Sequence, residues 1–489
     1  MTNLLNSFFA KRILKDAYTE ERAHFLASLM QNGREGHLCM HQPHAPDLPA
    51  WVLGDGKEPL TPVVKQDDRY YLQRNWALET HILEQLQRLR HARFAPVEID
   101  LEGTPLLPSQ KQAVMHCVEH AFSVICGGPG TGKTYTAATF VRLFLKAHEK
   151  AKVIVAAPTG KAAFHLQSAI GAHVEAKTLH RLLRIRPGEL PLFTDWKIDA
   201  DLVIVDEASM LDVPLLAKLL ESIGDGTRLI LLGDPDQLPP VETGSAFKEI
   251  AQECGIRLER SMRTENGDIH RLAEAINRGE WRGDCLPWAF DAELMPKLYQ
   301  RIDPQLSWVE PNAESELKKL DQFRILGALR QGPFGVDALN RQLVNEMSRQ
   351  IRPGQWWSVP IMITSNAFDV ELYNGHCGVL IGKSRGGVNL REGVAYFPQK
   401  IPYNNLPPFE VAFCLSVHKS QGSEFDHVLA LFPEGSEHFG KEAMYTAITR
   451  AKKGVEVVAQ ESVLQAMLCK NSGLTSGLTA RLEKKARQF

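Results

Sequence analysis

The chain has no cysteine framework. Its eight cysteines (Cys39, Cys117, Cys126, Cys254, Cys285, Cys377, Cys414 and Cys469) are scattered, and none stands in a C-x-x-C pair. That spacing excludes a disulfide scaffold and argues against a zinc or iron–sulfur site. No run approaches the roughly 18 uninterrupted apolar residues of a membrane span. The first 31 residues mix Lys11, Arg12, Asp16, Glu20 and Glu21 into short apolar runs, without the core of a secretory signal. A cytoplasmic location is the expectation. Neither charge is in excess: Lys+Arg is 56, Asp+Glu is 58 and the net charge is −2. A globally basic nucleic-acid binder is therefore excluded, and any such contact must come from a local groove. What is present is an ordinary globular composition, 44% hydrophobic and 23% charged over 489 residues, enough for two to four domains at roughly 100–200 residues each.

Apolar residues at helical spacing in 19–30 and 76–89 predict a mostly helical N-terminal domain over 1–100, with a Pro/Gly-rich loop at 41–62. From Leu106 the pattern changes. Apolar runs at 122–126, 153–157, 202–205 and 229–232 alternate with amphipathic stretches, the pattern of a parallel sheet covered on both faces. This predicts a first α/β domain over 101–285. The proline-rich stretch 286–322 reads as a linker. A second α/β pattern over 323–475 has runs at 359–364, 412–417, 427–432 and 454–459, a small β insertion at 375–410, and a C-terminal tail at 476–489.

The chemistry is concentrated in a few blocks. Gly127-Gly128-Pro129-Gly130-Thr131-Gly132-Lys133-Thr134 matches G-x-x-x-x-G-K-[ST] between a predicted strand and helix. Its glycines let backbone N–H groups cradle phosphate, Lys133 offers charge to the β/γ-phosphates, and the Thr134 hydroxyl can ligate Mg²⁺. Leu202-Val203-Ile204-Val205-Asp206-Glu207 is a strand ending in two acids at the ligand edge of such a sheet. Asp206 would hold Mg²⁺, and Glu207 would orient or deprotonate the attacking water. Gln237, in Gly233-Asp234-Pro235-Asp236-Gln237, could bond a γ-phosphate or that water. Arg263 and Arg450 are the arginines that phosphoryl transfer calls for.

In order, the phosphate loop, Ala157-Pro158-Thr159-Gly160-Lys161, Asp206-Glu207-Ala208-Ser209, the Gln237 block, Ser261-Met262-Arg263, Val417-His418-Lys419-Ser420-Gln421-Gly422-Ser423-Glu424 and Thr446-Ala447-Ile448-Thr449-Arg450-Ala451 resemble a superfamily 1 helicase over most of 105–460. Within it, Thr178-Leu179-His180-Arg181-Leu182-Leu183, residues 328–336 with Asn340, and Ser476-Gly477-Leu478 resemble the RecD family, bacterial α subunits of exodeoxyribonuclease V. The resemblance implies two RecA-like domains with parallel sheets and ATP between them. It implies Gln110 reading adenine, Glu424 at the nucleotide, and Arg263 and Arg450 reaching across the cleft. It further implies 5′ to 3′ movement on single-stranded DNA, action at DNA ends, and RecB-type and RecC-type partners. DNA contacts fall to Thr159, Lys161, His180 and Arg181 in the first motor domain and to His418, Lys419, Ser420 and Gln421 in the second. Met262 stands where the family often has an aromatic, and His376 where it usually has an aspartate. Residues 184–200 are expected to form a hairpin that helps split the duplex. Trp356 and Trp357 read as packing residues, and the apolar residues of 4–14 as either an interface or a frayed helix. A free-standing helicase of the same branch and a nucleotide-dependent switch protein are the alternatives.

Overall fold

The computed structural model describes residues 2–57, 59–92, 94, 97–171, 174–186, 196–240, 244–259, 267–302, 306–367, 370, 372–397, 399–470 and 475–486. The N-terminal unit opens with helices Thr2–Leu14 and Glu20–Arg34, the second capped by the Thr19 hydroxyl, which accepts from Arg22 N at 3.2 Å. It is not simply helical. Cys39–His41, Arg69–Leu72, Val63–Gln66 and Leu53–Gly54 form a four-stranded sheet in that order, backed by the helix Gln73–Arg90. Strands of two to four residues are too short to show a period of two, so the alternation never emerged from the sequence.

The first motor sheet has six parallel strands in the order Gly255–Arg257, Phe122–Cys126, Arg228–Gly233, Leu202–Val205, Val153–Ala157 and Glu175–Thr178. The four inner strands are buried along their whole length, which is why each reads as a continuous apolar run. Their register sets Cys126 beside Gly233 and Ala156 beside Val205. The phosphate loop, Thr159, Asp206 and Asp234 therefore emerge at one edge, the crevice outside the strands' carboxyl ends.

The second motor sheet is Cys414–Ser416, Phe323–Gly327, Phe425–Phe432 and Ala451–Ala459, also parallel. The run expected at 359–364 is not in it. Trp356–Ile363 pairs antiparallel with Cys377–Lys383 on one side and Phe409–Val411 on the other. A strand buried on both faces gives the same apolar run in either kind of sheet, so the β insertion is larger than 375–410. Trp357 is fully buried at its centre, a packing residue.

Packing also redraws three expected boundaries. Helix Gly267–Asn277 buries Ala273 and Ile276 with Met444 and Tyr445 of the second sheet's core, not with the first. Residues 286–322 are no free linker: Leu294 and Leu298 pack with Trp357 and Val359, and helix Ala313–Gln322 runs straight into strand Phe323–Gly327. The tail returns to the first half of the chain. Leu478 and Leu482 join the first motor core, and Thr475 O accepts from Leu38 N at 2.8 Å.

Candidate nucleotide site and interdomain cleft

The phosphate loop needs glycine where its backbone turns left-handed. Gly130 has φ 74° and Gly132, the N-cap of helix Lys133–Ala147, has φ 84°. Thr131 Oγ1 donates to Gly128 O at 2.8 Å, and Lys133 Nζ donates to Gly127 O at 2.6 Å and Gly128 O at 3.1 Å, so the ammonium lies inside the loop. Gln110 is buried with both ends of its amide engaged. It donates to Thr131 O at 3.2 Å and accepts from Leu107 N at 3.0 Å, so it braces the loop as placed.

Thr134 Oγ1 donates to Asp206 Oδ2 at 3.4 Å, and Asp206 Oδ1 accepts from Glu207 N at 2.8 Å. A hydroxyl and a carboxylate in contact at the phosphate loop form a hard-oxygen pair that fits Mg²⁺. Burial pushes the Asp206 carboxyl up, while the Glu207 amide, Lys133 and Thr134 pull it down. Burial, then the charge of Asp206, pushes Glu207 up against the pull of Arg450 and Lys133. A raised carboxylate is a better proton acceptor. Glu207 also takes φ 52°, a left-handed conformation that is strained for a residue with a Cβ. Asp234 is buried as well, with Gln237 Nε2 donating to its Oδ2 at 3.2 Å.

The second domain closes this site. Lys133, Thr134, Asp206, Glu207 and Gln237 share a cavity of about 670 Å³ with Gly422, Ser423, Glu424 and Arg450. Arg450 is buried. It donates through Nε to Thr446 O at 3.2 Å and through Nη1 to Ser423 O at 3.2 Å. Lys161 Nζ donates to Ser423 Oγ at 3.0 Å, Gln421 Nε2 to Leu238 O at 2.7 Å, and Leu238 N to Thr446 Oγ1 at 2.7 Å. Tyr373 covers Gly160 so closely that a Cβ there would lie 2.6 Å from its ring. Arg263 lies outside the described residues, as does most of the expected hairpin at 184–200.

The expected DNA contacts divide. His180 and Arg181 are exposed on the short helix Leu179–Leu182, and Thr159 caps helix Gly160–Ile170 by accepting from Ala162 N at 3.3 Å. In the second domain, Ser420 is fully buried and donates to Val417 O, and Gln421 spans the cleft. Lys419 holds Glu410 with 2.7 Å contacts to both carboxylate oxygens, and burial lowers the pKa of His418 to about 4. Lys419, Ser420 and Gln421 thus bond protein groups, and His418 packs edge-on against Phe439. Tyr445, Thr446 and Asp234 carry cleft contacts that the sequence did not single out. Their signal was adjacency to Gln237 and Arg450 within the same blocks.

A phosphate loop, a hydroxyl–carboxylate pair, a glutamate beside it and an arginine from the second domain define a two-domain P-loop nucleotide hydrolase. An AAA domain family model matches residues 110–243, and a UvrD-like helicase C-terminal domain model matches 411–458. RecBCD enzyme subunit RecD of Mycolicibacterium smegmatis is 31% identical over 92% of this chain and 91% of its own length. The subunit of the same name from Mycobacterium tuberculosis is 32% identical over 90% and 85%. The chain belongs to the RecD family. The ATP-dependent RecD2 DNA helicase of Deinococcus radiodurans is 31% identical over 68% of this chain but 46% of its own. Among solved structures, Pif1 helicase from Candida albicans aligns at TM-score 0.46 and 18% identity, over 78% of this chain and 99% of its own.

Proposed function

We propose that this chain is an ATP-dependent DNA helicase that moves 5′ to 3′ along single-stranded DNA as the α subunit of a RecBCD-type exodeoxyribonuclease V, in double-strand break repair. The observation that carries this is the shared cavity: Lys133, Asp206 and Glu207 of one domain line it together with Arg450 of the other, so hydrolysis and domain closure are one event. Thr134 and Asp206 would hold Mg²⁺, which neutralises charge developing on the phosphates. Glu207 takes the proton of the attacking water, Lys133 binds the phosphates, and Arg450 stabilises charge on the transferred group. Arg263 is assigned the same role.

Single-stranded DNA is assigned to the crevice above both sheets, with Thr159, Lys161, His180 and Arg181 positioning phosphate and sugar. Phe164 is 66% exposed on the helix that Thr159 caps, four residues after the Gly160 that Tyr373 covers; it offers a ring for base stacking. Gln421 links closure to that groove through its bond to Leu238 O, and His418, Lys419 and Ser420 flank it on the second-domain side. The motor domains are assigned to residues 106–258 and 267–470 and partner binding to the N-terminal unit, whose helix Gln73–Arg90 packs into the first motor core. The eight cysteines are free, which suits a reducing cytoplasm. A free-standing helicase is the second reading, and the near-full-length match to RecBCD subunits favours the first. The test is ATP hydrolysis with and without single-stranded DNA, beside Lys133→Ala. DNA-stimulated hydrolysis that the substitution abolishes supports the motor; hydrolysis indifferent to DNA supports a nucleotide switch instead.

A further inference from the structure

How Gln237 contributes depends on which end of its amide faces the reacting phosphate, and its neighbours settle the orientation. Asp234 Oδ2 lies 3.2 Å from Gln237 Nε2 and 3.0 Å from Tyr445 Oη, and Oδ1 accepts from Asp236 N at 3.1 Å. An ionised carboxylate can only accept, so the NH₂ end of Gln237 must face Asp234. Gln237 Oε1 is left buried without a partner among the described residues, in a side chain that lines the same cavity as Lys133, Glu207 and Arg450. A lone acceptor there is complementary to an O–H of water and not to a phosphoryl oxygen.

Tyr445 reaches this pair from the other domain. It sits on helix Gly440–Ile448, only 4% exposed, and its hydroxyl lies beside the phosphate loop: a Cβ built on Gly128 would be 3.0 Å from it. The next residue, Thr446, accepts from Leu238 N, and Gln421 donates to Leu238 O, so the second domain grips segment 234–238 at both ends. We propose that Tyr445 is a positioning residue for hydrolysis: its hydroxyl holds Asp234, Asp234 holds the Gln237 amide with its oxygen toward the attacking water, and that water is ordered only when the two domains meet. The proposal deepens the motor reading above and rests on it. Burial pushes the Asp234 carboxyl up against the pull of Lys133 and of the Asp236 and Gln237 N–H donors, and burial raises Tyr445 well above its usual range, which keeps the phenol protonated as the donor. Without that donor the Asp234 carboxyl loses one of its bonds, and the Gln237 amide is free to turn its NH₂ end toward the water.

The test is steady-state ATP hydrolysis with saturating single-stranded DNA by the full chain, comparing wild type with Tyr445→Phe and Tyr445→Leu, each checked for an unchanged thermal midpoint. The proposal expects kcat to fall at least tenfold in both variants, with KM for ATP and the DNA affinity within twofold of wild type. Tyr445→Phe at wild-type kcat, with Tyr445→Leu impaired, would mean the ring only packs, and would overturn it. A tenfold rise in KM at constant kcat would make Tyr445 a nucleotide-binding residue, and would overturn it too. Wild-type protein lacking DNA-stimulated hydrolysis contradicts the motor reading itself, an outcome distinct from either.

Discussion

Arg481→Ala tests the return of the C-terminal segment to the first half of the chain. Glu79, 1% exposed on helix Gln73–Arg90, accepts from Gly477 N at 3.0 Å, from Arg481 Nη1 at 3.1 Å and from Tyr71 Oη at 3.4 Å. Arg481 also donates to Thr80 Oγ1 at 2.6 Å and lies 5.5 Å from the Trp76 ring. Breaking a buried pair by removing one partner costs about 3–5 kcal/mol, because the other charge is left uncompensated. Burial already raises the Glu79 carboxyl despite Arg481, so Glu79 takes up a proton when the arginine is gone, and the expected loss is about 2–4 kcal/mol. Glu79→Gln keeps one acceptor, for Arg481, but turns an NH₂ toward Gly477 N and leaves the guanidinium without its counter-charge, so it should lose a similar amount, about 2–4 kcal/mol. Urea unfolding of the full chain gives the loss, and hydrogen exchange locates it: amides of 73–90 and 475–486 should lose protection together. A loss below about 1 kcal/mol for Arg481→Ala, or protection lost in one segment alone, would mean that this ion pair does not hold the C-terminal segment in place.

Other outcomes follow from the cleft. Glu207→Gln should lower DNA-stimulated kcat by about 10²–10⁴-fold while nucleotide binding persists, measured by turnover beside fluorescent-nucleotide binding. Ser423→Ala removes the acceptor of Lys161 across the domains, at a stability cost of about 1 kcal/mol or less; basal hydrolysis should hold while its stimulation by DNA falls, and equal loss of both would contradict a coupling role. His418 has its pKa lowered by burial to about 4. The unfolded chain therefore binds the proton first: the stability it protects is present above about pH 6.5 and lost as pH falls toward 4, by up to about 3 kcal/mol. Buried acids such as Asp206 and Glu207 have the opposite slope. The measurement is thus the difference between wild type and His418→Gln, whose stability should be flatter below pH 6.5.

The nucleotide site was largely legible. Strands buried on both faces read as apolar runs, and the loop chemistry follows them within a few residues, so Lys133, Thr134, Asp206, Glu207 and Gln237 fall where spacing put them. What failed was long-range. Nothing local tells that Ser476-Gly477-Leu478 closes on Glu79 roughly 400 positions earlier in the chain, or that helix Gly267–Asn277 crosses to the second core. Edge strand Glu175–Thr178 is too polar to show as a sheet element. Residues 418–421 look like DNA-facing groups by type, yet two are buried and Lys419 has a carboxylate partner. Hydroxyls and amides suit a phosphate and a backbone carbonyl equally, so only the fold separates those uses.

ATP hydrolysis in this cleft is proposed to drive movement along DNA in one direction. The most direct measurement is strand displacement by the purified chain, alone and with RecB-type and RecC-type partners, on duplexes with a 5′ or a 3′ single-stranded tail and with Lys133→Ala as control. Displacement from the 5′ tail only, abolished by the substitution, is the expected result. Displacement from the 3′ tail, or from either tail with Lys133 replaced, would contradict it.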